Sequence, residues 1–303
     1  MKHDGIPAFT LQPRKTEAAK PEVVASKAPS FIEDVAAGRV ELPVIPALVQ
    51  KLMAALRNTN IDSRQIAQAL ARDPVLTTKV LRLANSSSFG GQRSMTSVDA
   101  AVGLIGTAAL NRLVVACGVS SAFDDVQGID LALFWRDARV VASAALKLAA
   151  HLGADPDEAY LSGLLHGVGH LILCRSYPAV ADAMFTGFAP LRGAELAAIE
   201  LDAFGIEHAT VGALWIESIQ FPPTVAAAVG KCTRPQQDMV TALELALHGA
   251  CTLAIAVAQR ASADVALAAL HPTVRARCAS AHGAADAALV KLYESLCEAE
   301  APA

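Results

Sequence analysis

The sequence predicts an all-α fold built from two helical subdomains, and three observations carry that prediction. Cap residues and prolines recur at helical intervals from Ser30 onward. No run of about four to eight residues alternates β-branched and polar side chains between turn signals. The chain is 53% hydrophobic but only 5% aromatic, and much of the remainder is alanine, so its core is to be made of Leu, Val, Ile and Ala on helices. The same composition excludes general disorder, and 303 residues suffice for a sizeable core.

Residues 1–29 mix Lys, Pro, Ala and Glu without periodicity and are expected to form a disordered tail. Order is expected from "SFIEDVAAG", where Ser30 and Glu33 have capping-box spacing. In "LPVIPALVQKLMAAL", Pro46 suits a first helical turn, and Leu48, Leu52, Met53 and Leu56 fall on one face. Asp62 and Gln65 make another capping pair. Asp73 stops that helix and caps the next, with Pro74 at its first position. Asn85 closes the "LRLAN" helix before a Ser/Gly loop, as a short polar residue that tolerates left-handed backbone. "SMTSVDAAVGLIGTAALNRLVVACGVSSAF" reads as two helices hinged near Gly106. The polar break at 124–130 divides the chain into an N-terminal subdomain, 30–125, and a second one, 126–303.

Beyond the break come "LALFWRDARVVASAALKLAAHLG", then "ADPDEAYLSGLLHGVGHLILC", opened by Asp155, Pro156 and Glu158. "GAELAAIELDAFG", "EHATVGALWIESI" and "PPTVAAAVGKC" follow. "MVTALELALHGACTLAIAVAQR" reads as a long buried helix, with two or three more helices to finish. Trp135 and Trp215, among apolar neighbours, are expected in the core.

The mean hydropathy of +0.40 raises the question of a membrane. The longest stretch free of Asp, Glu, Lys and Arg runs from Ala159 to Cys174 and contains two histidines. That is short of the roughly 20 apolar residues a spanning helix needs. The first residues show no apolar run of signal-peptide type, so a cytoplasmic protein without a membrane partner is expected. The six cysteines are far apart, with no CxxC, and read as small buried thiols of a reducing compartment. A net charge of −4 gives no bulk attraction to nucleic acid. "SRQIAQALARDPVLTTKVLRLANS" has helix-turn-helix spacing, and Lys79 and Arg82 are basic. Its second helix is nonetheless dominated by Val, Leu and Ala, so DNA is not expected as a partner.

The chemistry centres on "HGVGH". In a straight helix His166 and His170 would share one face, as a metal-ligand pair does. Two glycines inside the motif cost a straight helix about 2 kcal/mol against alanine, so the helix is expected to end or kink at Gly167–Gly169. The plainer reading makes both core histidines bonded to a carbonyl or a neighbouring side chain.

"ELPVIPALVQKLMAAL", "IAQALARDPVLTTKVLRLANSSSFG", "TSVDAAVGLIGTAALNRLVV", "AYLSGLLHGVGHLIL" and "FGIEHATVGALWIES" resemble, in order and spacing, the HDOD domain family over roughly residues 31–260. Asp73-Pro74 followed by "LRLANSSSFG" is the most specific block. That family is related to the HD phosphohydrolases, helical enzymes in which one His, a His-Asp pair and a later Asp hold a metal that activates water. The resemblance places the first His near Asp137, the His-Asp pair at His166-Gly167 and the last Asp near His248-Gly249, so His166 alone keeps its residue type. It therefore implies a non-catalytic signalling module in a bacterial pathway, in the setting of cyclic di-GMP, two-component signalling or motility. Such a module would act through protein partners and carry no cofactor. Two other readings stay open. One is a divergent phosphohydrolase, with a repurposed shell of Asp137, His166, His208 and His248 that accepts zinc or nickel. The other is a small-ligand or nucleotide sensor that uses the former active-site pocket or the cleft between the subdomains. The glycines at 163, 167 and 169 have no lysine beside them, so no phosphate-cradling loop is expected.

Overall fold

The computed structural model describes residues 30–45, 49–50, 70, 74–85, 96–185, 193–233, 241–282 and 285–300. Among these residues every regular element is a helix and no strand occurs. The expectations at 1–29, Pro46, Leu48, Leu52, Met53, Leu56, Asp62, Gln65 and Asp73 fall outside them.

The N-terminal part holds α1 (Phe31–Ala36), α2 (Pro74–Ala84) and α3 (Val98–Ser121). Ser30 caps α1 by accepting from the Glu33 amide. Ser97 caps α3 by accepting from the Ala100 amide. The hinge expected at Gly106 is there: φ 79°, ψ 165° interrupts α3 in a region that only glycine visits readily. Asn85 follows α2 in a turn, its amide donating to the Leu81 carbonyl. The left-handed backbone expected at Asn85 is not what occurs. Among described residues other than glycine, positive φ is found at Gln220 and Arg260. The α2 helix ends instead on an ordinary turn. Lys79 reaches across to Ser121 Oγ and Asp124, which ties α2 to the end of α3.

The second part begins at Asp130, which caps α4 (Leu131–Leu152) by accepting from the Leu133 amide. Gly153, in left-handed conformation, closes α4, and Asp155 caps α5 (Pro156–Leu165) by accepting from the amides of Asp157 and Glu158. Then follow α6 (Val168–Ser176), α7 (Pro178–Phe185), α8 (Gly193–Phe204), α9 (His208–Ser218) and α10 (Pro223–Gly230). The chain continues with α11 (Ala242–Ala258), α12 (Ala263–Ala268), α13 (Pro272–His282) and α14 (Ala285–Glu300). The α7 helix is absent from the sequence reading, which left 177–192 unassigned.

The centre of this part is α4, which packs along α5 on one side and α11 on the other. Close approach depends on missing side chains: a Cβ on Gly163 would lie 2.5 Å from the Ala142 Cα. Both tryptophans are buried, as expected. Trp215 donates to the Pro43 carbonyl at 2.9 Å and meets Phe123 edge-on, joining α9 to the N-terminal part. No helix among the described residues is long and apolar enough to cross a membrane.

Candidate functional site

The helix carrying "HGVGH" breaks where the two glycines predict. The α5 helix ends at Leu165 and α6 starts at Val168, with His166 and Gly167 as the joint. The His166 Nδ1–H donates to the Gly163 carbonyl at 2.8 Å, so the ring itself closes the end of α5. The i,i+4 face is broken with it, and His166 and His170 belong to different helices.

Gly169 has a separate role. A Cβ there would lie 2.0 Å from the His208 carbonyl oxygen and 2.7 Å from the Gly212 amide nitrogen. Only glycine lets α6 and α9 touch backbone to backbone, and that contact sets His170 and His208 side by side. Glu200, from α8, bridges them. The His170 Nδ1–H donates to Glu200 Oε1 at 2.7 Å, and the His208 Nδ1–H donates to Glu200 Oε2. The His208 backbone amide donates to the same oxygen at 2.8 Å. A carboxylate at the start of α9 thereby satisfies an amide that the capping residue Glu207 leaves open.

Glu200 has no exposed surface. Burial alone would raise its pKa, but hydrogen bonds from His170 and His208 hold it well below the usual carboxylate range. Burial likewise disfavours a charged His170, but its hydrogen bonds to Cys174 and Glu200 outweigh that and raise its pKa. The result is a buried, charge-assisted His170–Glu200 pair, with Phe185 edge-on to the His170 ring at 4.9 Å.

Of these groups, His170, His208 and Phe185 line a cavity of about 320 Å³. Asp137 and His166 line the same cavity. Thr233 also reaches it, donating to buried Glu207 at 3.0 Å. The rest of the lining is mainly apolar, with Leu133, Phe134, Val141, Leu196 and Ile255 among its residues. Of the sequence candidates, Asp137, His166, His170 and His208 come together. His248 does not: it lies on α11 away from this lining, against His271, and burial together with the His271 charge lowers its pKa. The described lining runs from Gly128 to Ala258 and includes Gly128, Ile129 and Asp130 at the end of the break at 124–130.

Glu200 is the residue the sequence reading missed. In "GAELAAIELDAFG" it sits among apolar neighbours and resembles any helical glutamate. Only its spacing, eight residues before His208, hinted at a link.

The residues present do not fit an HD metal set. Gly167 offers no side-chain ligand where the family's carboxylate stands, and Phe134 ring carbons lie 3.2 Å from where its Cβ would be. No group of three or more His, Cys, Asp or Glu among the described residues is placed to hold a metal.

An all-helical HD-like scaffold with an altered polar cavity defines the class of this molecule. Residues 42–235 match the HDOD domain, and the chain belongs to that family. It is similar in structure to an HDOD domain protein of unknown function from Geobacter sulfurreducens, with a TM-score of 0.70 and 20% identity, covering 88% of this chain and 94% of that one. It is also similar to a candidate phosphohydrolase from Shewanella amazonensis SB2B, with a TM-score of 0.66 and 25% identity over 91% of this chain and 99% of that one. An uncharacterised protein of Treponema pallidum (strain Nichols) is 25% identical over 140 residues, 46% of this chain. The match spans 27% of that protein's length.

Proposed function

We propose that this chain is a non-catalytic signalling module of a bacterial regulatory pathway, acting from the cytoplasm through a protein partner. The observation that carries the reading is the joint at His166–Gly167. The carboxylate of the His-Asp pair is replaced by glycine, and the Phe134 ring packs over that position. A metal-activated water needs hard oxygen ligands held together with imidazole, and here the histidines beside the joint are bonded to Glu200 instead. In this reading the segments 30–125 and 126–303 move as two subdomains about the break at 124–130, and a bound partner biases their relative angle.

A second reading, a small-ligand sensor, is favoured by the cavity itself. Its size and its apolar body with a few convergent polar groups are the ordinary features of a small-molecule site. The two readings combine if the ligand sets the state that the partner recognises.

The test is turnover. Phosphomonoesters, phosphodiesters and cyclic dinucleotides are offered with Mg, Mn, Fe and Ni in turn. No hydrolysis above buffer is expected with any of them. Turnover that disappears in His166→Ala would overturn the module in favour of the enzyme.

A further inference from the structure

We infer that the cavity takes a neutral, apolar molecule of about two fused rings and discriminates against charged ligands of either sign. The inference rests on the ligand-sensing reading and names the chemistry of the ligand. Its ground is that the polar side chains on the described lining already have protein partners, so a ligand gains most from the apolar surface between them.

His170 and His208 both donate to Glu200. The His166 ring is bonded to the Gly163 carbonyl. Thr233 donates to Glu207, which itself lies outside the described lining. Asp130 is taken up by the cap of α4, where it accepts from the Leu133 amide. Asp137 pairs with Arg136 at 3.7 Å. The Cys232 and Cys251 thiols are hydrogen-bonded to each other. Neither lysine nor arginine stands in the described lining.

A charged head entering this space must shed its water and then compete with a partner already in place. An ammonium competes with Arg136 for Asp137, and a carboxylate competes with Glu200 for His170. Burying a charge without a well-formed partner is costly. A neutral apolar body meets neither obstacle. It gains contact with Leu133, Phe134 and Val141 of α4, Leu196 of α8 and Ile255 of α11. The size follows from the volume. About 320 Å³ is roughly double the ~150 Å³ of an apolar cavity that holds benzene, which points to two rings and not one.

The experiment uses one body with three heads: 3-methylindole, tryptamine and indole-3-acetate, titrated calorimetrically into the full chain. The neutral 3-methylindole is expected to bind with affinity about tenfold or more above either charged compound. Its binding is expected to carry a negative heat-capacity change, the mark of apolar burial. Ala254→Trp on α11 and Leu196→Trp on α8 each place a large side chain at the apolar lining. Each is expected to weaken 3-methylindole about tenfold or more with helical content retained. The comparison of the three heads in the unaltered chain decides the matter even if neither variant folds. Equal or tighter binding of the amine or the acid would overturn the proposal. So would no 3-methylindole binding at millimolar concentration, or an affinity unchanged in both folded variants. A charged compound preferred by a chain that hydrolyses nothing defeats the ligand class alone. Metal-dependent turnover defeats the functional reading whatever the indoles do.

Discussion

Glu200 carries three hydrogen bonds on its two oxygens, all from His170 and His208. Removing its charge leaves two buried imidazoles facing a neutral amide, and breaking such a pair from one side costs about 3 kcal/mol or more. Glu200→Gln is therefore expected to lower the thermal midpoint clearly, and the loss should depend on pH. The ordinary value for His170 is 6.5 and its folded value is higher, so its contribution is full below 6.5 and is lost as pH rises through the folded value. The ordinary value for Glu200 is 4.5 and its folded value is lower, so its contribution is full above 4.5 and is lost as pH falls through the folded value. The gap in midpoint between wild type and Glu200→Gln is expected to be widest between pH 4.5 and 6.5 and to narrow on both sides. A gap independent of pH would show that the pair is not ionised. Gly169→Ala adds one methyl 2.0 Å from the His208 carbonyl, so α6 and α9 must separate. Denaturant titration is expected to show a loss of about 1–3 kcal/mol. These two residues also mark the limit of sequence reading. The histidines could be picked out by their pattern, but the glutamate that joins them and the glycine that lets them meet act through a contact between distant helices, which no local pattern records.

At the scale of helices, the sequence was informative wherever a cap carried the signal. Ser30 and Asp155 open α1 and α5 with side-chain bonds to first-turn amides, as the sequence predicts, and Asp130, not singled out in the sequence, does the same for α4. The break in "HGVGH" was legible because two glycines weaken a helix at one place. The short α7 was not: Pro178 opens it, but eight residues with no capping bond among those described give too weak a pattern. At Gly106 the positive φ makes any side chain strained, although nothing among the described residues lies within 4 Å of where a Cβ would stand. Gly106→Val is expected to destabilise by about 1–3 kcal/mol through backbone strain, not crowding. Gly106→Ala should lose nearly as much, since the strain comes from the positive φ and not from the bulk of the side chain. A tolerated alanine, read as an unchanged midpoint, would mean that the kink is not required.

For the whole molecule, the helical class followed from composition and punctuation together, because an alanine-rich, aromatic-poor chain has little from which to build sheets. The arrangement around the cavity did not follow, since six helices of the second part (α4, α6, α7, α8, α9 and α11) and the loop before them contribute to it. It also leaves His248, which the sequence placed with the other histidines, outside the lining and beside His271. The central claim is that an HD-like scaffold keeps the histidine of the His-Asp pair, His166, while its neighbours are bonded for another purpose. Metal content tests this most directly. The chain is purified without a histidine tag, equilibrated with equimolar Mn, Fe, Ni and Zn, desalted, and analysed by mass spectrometry beside His166→Ala. The account expects no Mn or Fe at stoichiometric level, and at most a weakly held Zn or Ni lost on desalting. One Mn or Fe per chain, retained by wild type and absent from His166→Ala, would contradict it.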